Sequence, residues 1–412
     1  MSEMRFSLPE VMPRENGDSP RARGLAWSSP CFFDNHNAEV RALWQAFHEN
    51  RHTRIPVRLN TNPRVLMLDP AYNTAEIDYE TYSNDPEVMA DVVLAWQYFV
   101  RFLLPGDHEQ GPPEAWPLTV HWDNIYDAAW LGCPVHYRDA QVPDTTPILD
   151  DEHKHMLFDQ GIPKPFAGDL AERTLRFMEH WEAKAEAGWT FMERPVAPQR
   201  MAPFIHTDGP MTLAIGMRGA ENFLTDLMVD PEYARQLLDY LTEALVQRMA
   251  AWRRELGTPM QQDDFGFGDD ACEFISEAMY REFVLPHHRR LYNTFSSGKG
   301  RFLHLCGDAQ HLFDTTRREL DIGWFDTGFP IDFDRLRREL GPETVVSGGP
   351  RVAFFLEDDA EPLLQETARI LQSDILNGGL FVLQEGNNLP PRVPLDRCWR
   401  FYEFGKTYGT VP

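Results

Sequence analysis

Apolar residues recur at helical spacing in two long segments, and each segment opens with the same start signal. At Asp85-Pro86 and again at Asp230-Pro231, a side chain that can cap a helix precedes a proline that fits its first turn. The second segment ends at Gly257, a residue suited to a helix terminus. We therefore predict two long helices, whose buried faces carry Val88, Val92, Phe99 and Leu103 in the first and Leu237, Leu241, Leu245, Met249, Trp252 and Leu256 in the second.

Three further helices are predicted from their start and stop residues. Asn37 is placed to cap a segment in which Val40, Leu43, Trp44 and Phe47 share one face. Residues 170–187 form a second segment, which a glycine stops. A last helix opens at a proline, runs over residues 362–376 and stops at an Asn-Gly-Gly run.

Short strand-like runs lie between the helical segments. Because strands and helices alternate, we expect a parallel sheet, and about eight such units fit an α/β fold of the (β/α)8 TIM-barrel type. An open doubly wound sheet is the alternative, but no strand run is followed by GxGxxG or GxxxxGK[ST]. The runs cover residues 55–59, 118–122, 203–206, 259–262, 302–305, 324–325, 345–347 and 380–384.

Two regions are expected along the 412 residues. Residues 1–30 are rich in Pro, Arg and Gly and show no periodicity, so we interpret them as an N-terminal arm. Residues 31–412 are expected to form a single barrel domain with insertions. An arm of this kind is suited to reach a neighbouring subunit, which is compatible with a homodimer.

Composition and charge narrow the function classes. The 64 acidic residues exceed the 39 basic residues, which gives a net charge of −25 and disfavours binding to nucleic acid or to an anionic membrane. Five dispersed cysteines form no CxxC pair, and no run approaches the roughly 18 apolar residues of a membrane span. These features favour a soluble cytoplasmic protein that acts on a small-molecule substrate.

The sharpest chemical signal is the run GRFLHLCGD, residues 300–308. On a strand, His304 and Cys306 project to the same side about 6.6 Å apart, so they can hold one Zn²⁺. The alternative is a buried histidine beside a small apolar cysteine, which is the more common meaning of an HxC pattern in isolation.

Other polar residues follow strand runs, where a barrel builds its active site. Glu385 and Asn387 follow the last run, and Gly348 and Gly349 let the backbone approach a ligand closely. Asp326 follows the run 324–325 and is a candidate catalytic group.

Asp264 in the run MQQDDFGFGDD is the second candidate catalytic carboxylate, and a helix cap or a solvated turn is the alternative for both candidates. For Asp269 and Asp270 in the same run, we favour the cap or turn. His206 ends a run and is a candidate for the pocket wall, whereas the adjacent pair His287 and His288 is interpreted as structural, since neighbours point to different sides of a helix.

Residues 200–408 resemble the uroporphyrinogen decarboxylase superfamily, which includes zinc-dependent corrinoid methyltransferases. The resemblance is carried by five stretches in the family's order and spacing, and it implies a (β/α)8 barrel. They are GPMTLAIGMRGAENFLTDLMVDPEYARQLL (209–238), ISEAMYREFVLPHHRRLY (275–292), FLHLCGD (302–308), GPETVVSGGP (341–350) and GGLFVLQEGNNLPPRVPLD (378–396).

The resemblance separates two branches of the superfamily. The methyltransferase branch carries His-x-Cys at the position of His304 and Cys306, with a later cysteine as third zinc ligand. In this chain Asn387 occupies that place, so Glu385 is expected to supply an oxygen ligand instead. The arginine-rich substrate motif of the decarboxylases is not found.

Three functions follow as hypotheses from the resemblance. The leading one is a zinc-dependent methyl (alkyl) transferase that activates a thiol as a zinc thiolate. The methyl donor is either a corrinoid, which a partner corrinoid protein would carry, or another methyl donor. The second is a decarboxylase that acts on a carboxylated tetrapyrrole or small acid, in which Asp264 stabilises a protonated intermediate. The third is a barrel that binds a corrinoid or tetrapyrrole without catalysis.

Overall fold

The computed structural model describes residues 5–8 and 30–411, with side chains from residue 33 in the second stretch. Helices dominate this part of the chain. The α-helices are α1 Pro30–His48, α2 Arg64–Met67, α3 Tyr79–Asn84, α4 Pro86–Tyr98, α5 Tyr126–Trp130, α6 Met156–Gln160, α7 Asp169–Glu186, α8 Pro210–Arg218, α9 Ala220–Val229, α10 Pro231–Leu256, α11 Glu277–Met279, α12 Leu285–Phe295, α13 Gln310–Leu320, α14 Phe333–Leu340, α15 Glu361–Leu371 and α16 Leu395–Tyr408.

Short strands alternate with these helices. They are β1 Trp116–Leu118, β2 Val135–His136, β3 Asp144–Thr145, β4 Thr190–Phe191, β5 Arg194–Pro198, β6 Gly266–Gly268, β7 Phe302–Leu305, β8 Trp324–Thr327, β9 Val345–Gly348 and β10 Phe381–Leu383. The main sheet holds five parallel strands in the order β10-β9-β8-β7-β6, and β1 pairs in parallel with β5 in a second, smaller sheet.

Isolated bridges extend the main sheet at both edges. Val57 pairs in parallel with Leu383 of β10, and Asp208 pairs in parallel with Gly268 of β6. Seven chain segments thus run side by side in one direction, which gives an α/β fold of the TIM-barrel kind. Among residues 5–8 and 30–411, no hydrogen-bonded pairing joins the two outer segments, so the structure shows the sheet but not its closure into an eight-stranded barrel.

The two strongest helix predictions are confirmed. The Asp85 carboxylate accepts the Glu87 N–H at 2.8 Å at the start of α4, and Asp230 caps α10 by accepting the Tyr233 N–H. α10 ends at Gly257, which has the left-handed φ of 69° that glycine adopts without strain. The predictions over residues 170–187 and 362–376 correspond to α7 and α15.

The expected cap at Asn37 is wrong. α1 already begins at Pro30, so Asn37 lies inside the helix, where its side chain exchanges two hydrogen bonds with the backbone of Gln110. Most of the proposed arm, residues 1–4 and 9–29, lies outside the described residues. The described part packs on the body: Phe6 is buried and the Ser7 N–H donates to the carbonyl of Tyr72 at 2.9 Å.

Four predicted strand runs do not form strands over their predicted bounds. Residues 55–59 contribute only the bridge at Val57, and the run 118–122 meets a strand only at Leu118, the last residue of β1. Residues 203–206 form a short 3-10 helix, Pro203–Ile205, and residues 259–262 contribute only one bridge, from Gln262. The strand in that region is β6, which starts four residues later than the predicted run ends. No helix in the described part of the chain is long and apolar enough to cross a membrane.

Candidate functional site

A polar cavity of about 590 Å³ lies where the parallel strands end. Each strand of the main sheet contributes a residue from its carboxyl end or the loop that follows, because parallel strands end at the same edge. These residues are Asp270 after β6, His304 in β7, Asp326 in β8, Ser347 in β9 and Gln384 after β10.

The register of the sheet places these side chains at one level. Gly268 lies opposite His304, His304 opposite Asp326, and Asp326 opposite Ser347. Side chains at paired positions in parallel strands point to the same face. The sheet therefore holds the imidazole and the carboxylate as neighbours on one rigid surface, not on mobile loops.

Asp270, His304 and Cys306 form a compact group at this edge. Their candidate ligand atoms lie within 4.8 Å of one another. The Nε2 atom of His304 is 3.4 Å from Oδ1 of Asp270, and the same carboxylate oxygen accepts the backbone N–H of Cys306 at 3.0 Å. We call these three residues the open group, because each is half-exposed.

A second layer orients the histidine. The His304 Nδ1 atom lies 2.8 Å from Oδ2 of Asp326, and the imidazole donates because an ionised carboxylate only accepts. The Gln384 side chain donates to the other oxygen of Asp326. With Nδ1 engaged, Nε2 faces Asp270 and the cavity side, as in the carboxylate–histidine–metal arrangements of zinc proteins.

The electrostatics of the open group favour a cation. Burial lowers the pKa of the His304 imidazole, but hydrogen bonds to Asp326 and Cys306 and the charges of Asp326 and Asp270 together raise it well above its ordinary value. A positive charge is therefore stabilised at this place, either as a proton or as a metal ion. One nitrogen, one sulfur and one carboxylate oxygen are ligands that catalytic zinc accepts, with a fourth position left for substrate.

The expected third ligand, Glu385, lies elsewhere. Its side chain is fully buried, and its two oxygens accept the backbone N–H of Asn60 at 3.0 and 3.1 Å. Burial raises the pKa of this carboxyl well above its usual range, against the lowering effect of the Asn60 N–H. Glu385 does not belong to the open group; Gln384, one residue earlier, lines the cavity.

The other expected catalytic carboxylate, Asp264, lies at the opposite end of β6. It occupies an exposed turn before the strand, with a φ of 57°, and its N–H donates to the carbonyl of Lys299. Asp270, which follows the strand, takes the place at the cavity that the sequence assigned to Asp264. Its signal in the sequence was its position two residues after the GFG run, at the carboxyl end of a strand.

Of the four residues expected to contact substrate, one lines the cavity and three do not. Asn387 lines the cavity. Gly348 and Gly349 serve strand packing: a Cβ built on Gly349 would lie 1.7 Å from the carbonyl oxygen of Gln384. His206 is exposed and is not among the cavity-lining residues, and its carbonyl accepts from Arg248 at 2.7 Å.

Three charged cavity residues were not singled out as site residues from the sequence. Arg58 and Arg64 line the wall nearest the first strand-like run, where they supply positive charge. Asp208 lines the wall beside β6. The sequence analysis ended a predicted strand at His206 and left Asp208 in the turn after it, whereas in the structure Asp208 itself pairs with the edge of the sheet.

A second group of the same three residue types lies beneath the cavity. Asp269, Cys272 and His288 are fully buried, and we call them the closed group. Asp269 accepts Nε2–H of His288 at 2.7 Å and the N–H groups of Met211 and Thr212 at the start of α8. The interpretation of His288 as structural agrees with these contacts.

Three comparisons with known proteins bear on this geometry. Residues 197–408 match the family model described as uroporphyrinogen decarboxylase (URO-D). A stretch of 140 residues is 32% identical to a methylated-thiol–coenzyme M methyltransferase of Methanosarcina mazei, and it covers 32% of this chain and 33% of that protein. A stretch of 132 residues is 28% identical to a uroporphyrinogen decarboxylase of Pelobacter propionicus, and it covers 30% of this chain and 36% of that protein.

Both curated relatives are enzymes, and the matched parts span about a third of the length of each. A solved structure of a methyltransferase from Methanosarcina mazei superposes with a TM-score of 0.58, over 90% of this chain and 98% of that chain, at 16% sequence identity. That likeness supports the fold. Since the family model covers just over half of the 412 residues, the chain belongs to the uroporphyrinogen decarboxylase family.

Proposed function

We propose that this chain is a zinc-dependent methyltransferase that transfers a methyl group to the sulfur of a small thiol. The open group carries the proposal, because a histidine, a cysteine and a carboxylate converge at the edge of a polar cavity. The similarity to a methylated-thiol–coenzyme M methyltransferase supports the same reaction class.

His304, Cys306 and Asp270 would hold the metal, with Asp270 as the third ligand in place of the expected Glu385. When bound, zinc lowers the pKa of a thiol at its open position and holds the sulfur as a thiolate. The chain's own residues prepare this place. Asp326 fixes the His304 ring with Nε2 outward, and Gln384 fixes Asp326.

The cavity suits a small polar substrate. Its volume of about 590 Å³ lies within the range of about 300–1,000 Å³ typical of small-molecule sites. Arg58 and Arg64 offer positive charge for an acidic group on the thiol, and Asn387 adds an amide at the rim. The methyl donor we propose is a methylated corrinoid, which a partner corrinoid protein presents at the mouth of the cavity.

A decarboxylase remains the second candidate, and one observation favours it. Arg58 and Arg64 could bind substrate carboxylates, and one relative is a uroporphyrinogen decarboxylase. The residue expected to stabilise the intermediate in that reaction, Asp264, lies at the other end of β6, away from the cavity-lining residues. That placement favours the transferase.

The two candidates differ in their need for metal. Chain purified with zinc supplied is expected to contain about one zinc per molecule and to methylate coenzyme M from methylcobalamin, and a chelator should abolish both. Release of CO2 from a carboxylated porphyrinogen that survives the chelator would replace the transferase by the decarboxylase. A protein that binds methylcobalamin but performs neither reaction would support the non-catalytic alternative.

A further inference from the structure

Asp208 and the open group lie on either side of Gly268, a sheet position that has no side chain. Asp208 pairs with Gly268, which in turn lies opposite His304. Since neighbouring strands are about 4.8 Å apart, the backbones of Asp208 and His304 are separated by about 10 Å. A Cβ built on Gly268 would lie 3.3 Å from Cδ2 of His304, so the glycine keeps the space between the two side chains clear.

The peptide that carries Asp208 is held firmly in place. Its N–H donates to Oδ2 of Asp127 at 2.8 Å, and the Thr207 hydroxyl donates to the same oxygen at 3.1 Å. Asp127 is itself paired with the fully buried Arg248, which also donates to the carbonyl of His206. Asp208 is therefore a fixed wall residue of the cavity.

The carboxylate of Asp208 is available to a ligand. Of the acidic side chains that line the cavity, Asp326 accepts from His304 and Gln384, and Asp270 accepts from Cys306. Within residues 5–8 and 30–411, no hydrogen bond or ion pair reaches the side chain of Asp208. A carboxylate that lines a substrate cavity without a protein partner is free to exchange a proton with what enters.

The surroundings of Asp208 raise its pKa into a range that suits proton exchange near neutral pH. Burial raises its pKa to about 8, and the charges of Asp127, Asp270 and Asp269 add to the effect while His304 opposes it. A thiol has an ordinary pKa of about 8.5. Before any metal binds, Asp208 and a thiol therefore titrate in the same range, and a group whose pKa lies near the working pH is suited to general acid–base catalysis.

We propose that Asp208 is the proton-transfer residue for the substrate sulfur, a role that rests on the methyltransferase function proposed above. The Asp208 carboxylate takes the proton as the S–H bond breaks. The sulfur keeps the bonding pair and forms the new S–CH3 bond, while the donor's bond to the methyl group breaks and its electron pair stays on the corrinoid cobalt. In the reverse direction the protonated Asp208 returns the proton to sulfur.

The test compares two thiols that differ in their need for a base. At pH 7 an alkyl thiol such as 2-mercaptoethanol carries its proton, whereas an acidic aryl thiol such as 4-nitrothiophenol is ionised. Methyl transfer from methylcobalamin is measured with the zinc-loaded wild type and with Asp208→Asn. Asp139→Asn, an exposed aspartate in a turn, is the matched control, and zinc content is measured in all three.

We expect Asp208→Asn to slow transfer to the alkyl thiol by about 100-fold or more. Transfer to the ionised thiol should fall far less, with zinc content unchanged, and Asp208→Glu should restore part of the alkyl rate. An equal loss on both thiols, or no loss, would overturn the role of Asp208 while the wild type still transfers methyl groups. A wild type that methylates neither thiol contradicts the methyltransferase function itself, and the role of Asp208 falls with it.

Discussion

The open and closed groups contain the same residue types, and their aspartates, Asp270 and Asp269, are adjacent in the chain. In the closed group the carboxylate accepts from a histidine and from two backbone N–H groups, and all three side chains are fully buried. In the open group the side chains are half-exposed. The ring nitrogen on the side of Asp270 lies 3.4 Å from that carboxylate, and the imidazole also bonds to the Cys306 thiol.

Donor identity alone therefore does not make a metal site. The His288 ring uses both nitrogens, one toward Asp269 and one toward the Tyr280 hydroxyl at 2.9 Å. An ion there would have to replace satisfied buried hydrogen bonds, which is costly. His304 uses one nitrogen toward Asp326, and its other polar neighbours, Asp270 and Cys306, are the residues that would share an ion with it. A metal site needs donor atoms that an ion can reach without replacing satisfied buried hydrogen bonds.

Removing the acceptor of the closed group should give the largest loss of stability. Asp269→Ala leaves three donors without their acceptor, those of His288, Met211 and Thr212. The first two are buried, and each buried donor costs about 1–3 kcal/mol. We expect the free energy of unfolding in urea to fall by about 3 kcal/mol or more. Asp139→Ala, at an exposed turn, is the control and should change it little. A loss below about 1 kcal/mol would show that the closed group does not stabilise the fold.

The two cysteines provide the sharpest contrast in metal binding. Cys306→Ala removes a proposed ligand, so zinc affinity should fall by more than the roughly 10–100-fold that loss of an outer hydrogen-bond partner costs. Cys272→Ala should leave about one zinc per chain, because burial raises the pKa of the Cys272 thiol well above its ordinary value and keeps the sulfur protonated. Zinc content and competition with a chromophoric chelator measure both. Equal loss in the two variants would contradict the comparison.

The orienting carboxylate should have a smaller effect on metal binding. Asp326→Asn keeps the shape of the side chain but removes the charge that fixes the His304 ring. Zinc affinity is expected to fall by about 10–100-fold, with little change in stability. Asp139→Asn, at an exposed turn, again serves as the control. Unchanged zinc affinity in Asp326→Asn would remove Asp326 from the site.

Acid should weaken the region of the closed group through its neighbour His287. Burial lowers the pKa of His287 to about 4, so between pH 6.5 and 4 the unfolded chain binds this proton more tightly than the folded chain. The resulting stability is present above pH 6.5 and is lost as the pH falls toward 4. His287→Gln should flatten this part of the stability curve, and His153→Gln, at an exposed site, should not. Parallel slopes for both variants would contradict the assignment.

Much of the scaffold could be predicted from the sequence, because its signals are local. Asp85-Pro86 and Asp230-Pro231 start helices through short-range capping, and the run 302–305 forms β7 with the predicted bounds. The convergence of His304 and Asp326 also followed from strand ends that meet at one edge. These features depend on spacing within a few residues and on the parallel arrangement of the sheet.

The errors at the site arise from register, which is set by distant contacts. The strand predicted at residues 259–262 lies at 266–268 in the structure. Asp270 therefore follows the strand at the cavity end, and Asp264 precedes it. After β10 a shift of one residue exchanges Gln384, which lines the cavity, for Glu385, which is buried against Asn60. A one-residue slip reverses every side chain of a strand, and nothing in the local sequence indicates which face is inward.

The adjacency of Asp269 and Asp270 has a thermodynamic consequence for assembly of the site. Gly209 lies so close to Asp269 that a Cβ there would come within 2.2 Å of its carboxyl carbon, so the loop after β6 is clamped to α8. Because Asp270 is the next residue in the chain, its backbone is held in place as well. Its carboxylate is fixed before any ion arrives, and binding spares much of the conformational entropy that a mobile ligand would lose. Mutations that loosen the closed group should therefore weaken metal binding at the open group without touching any ligand.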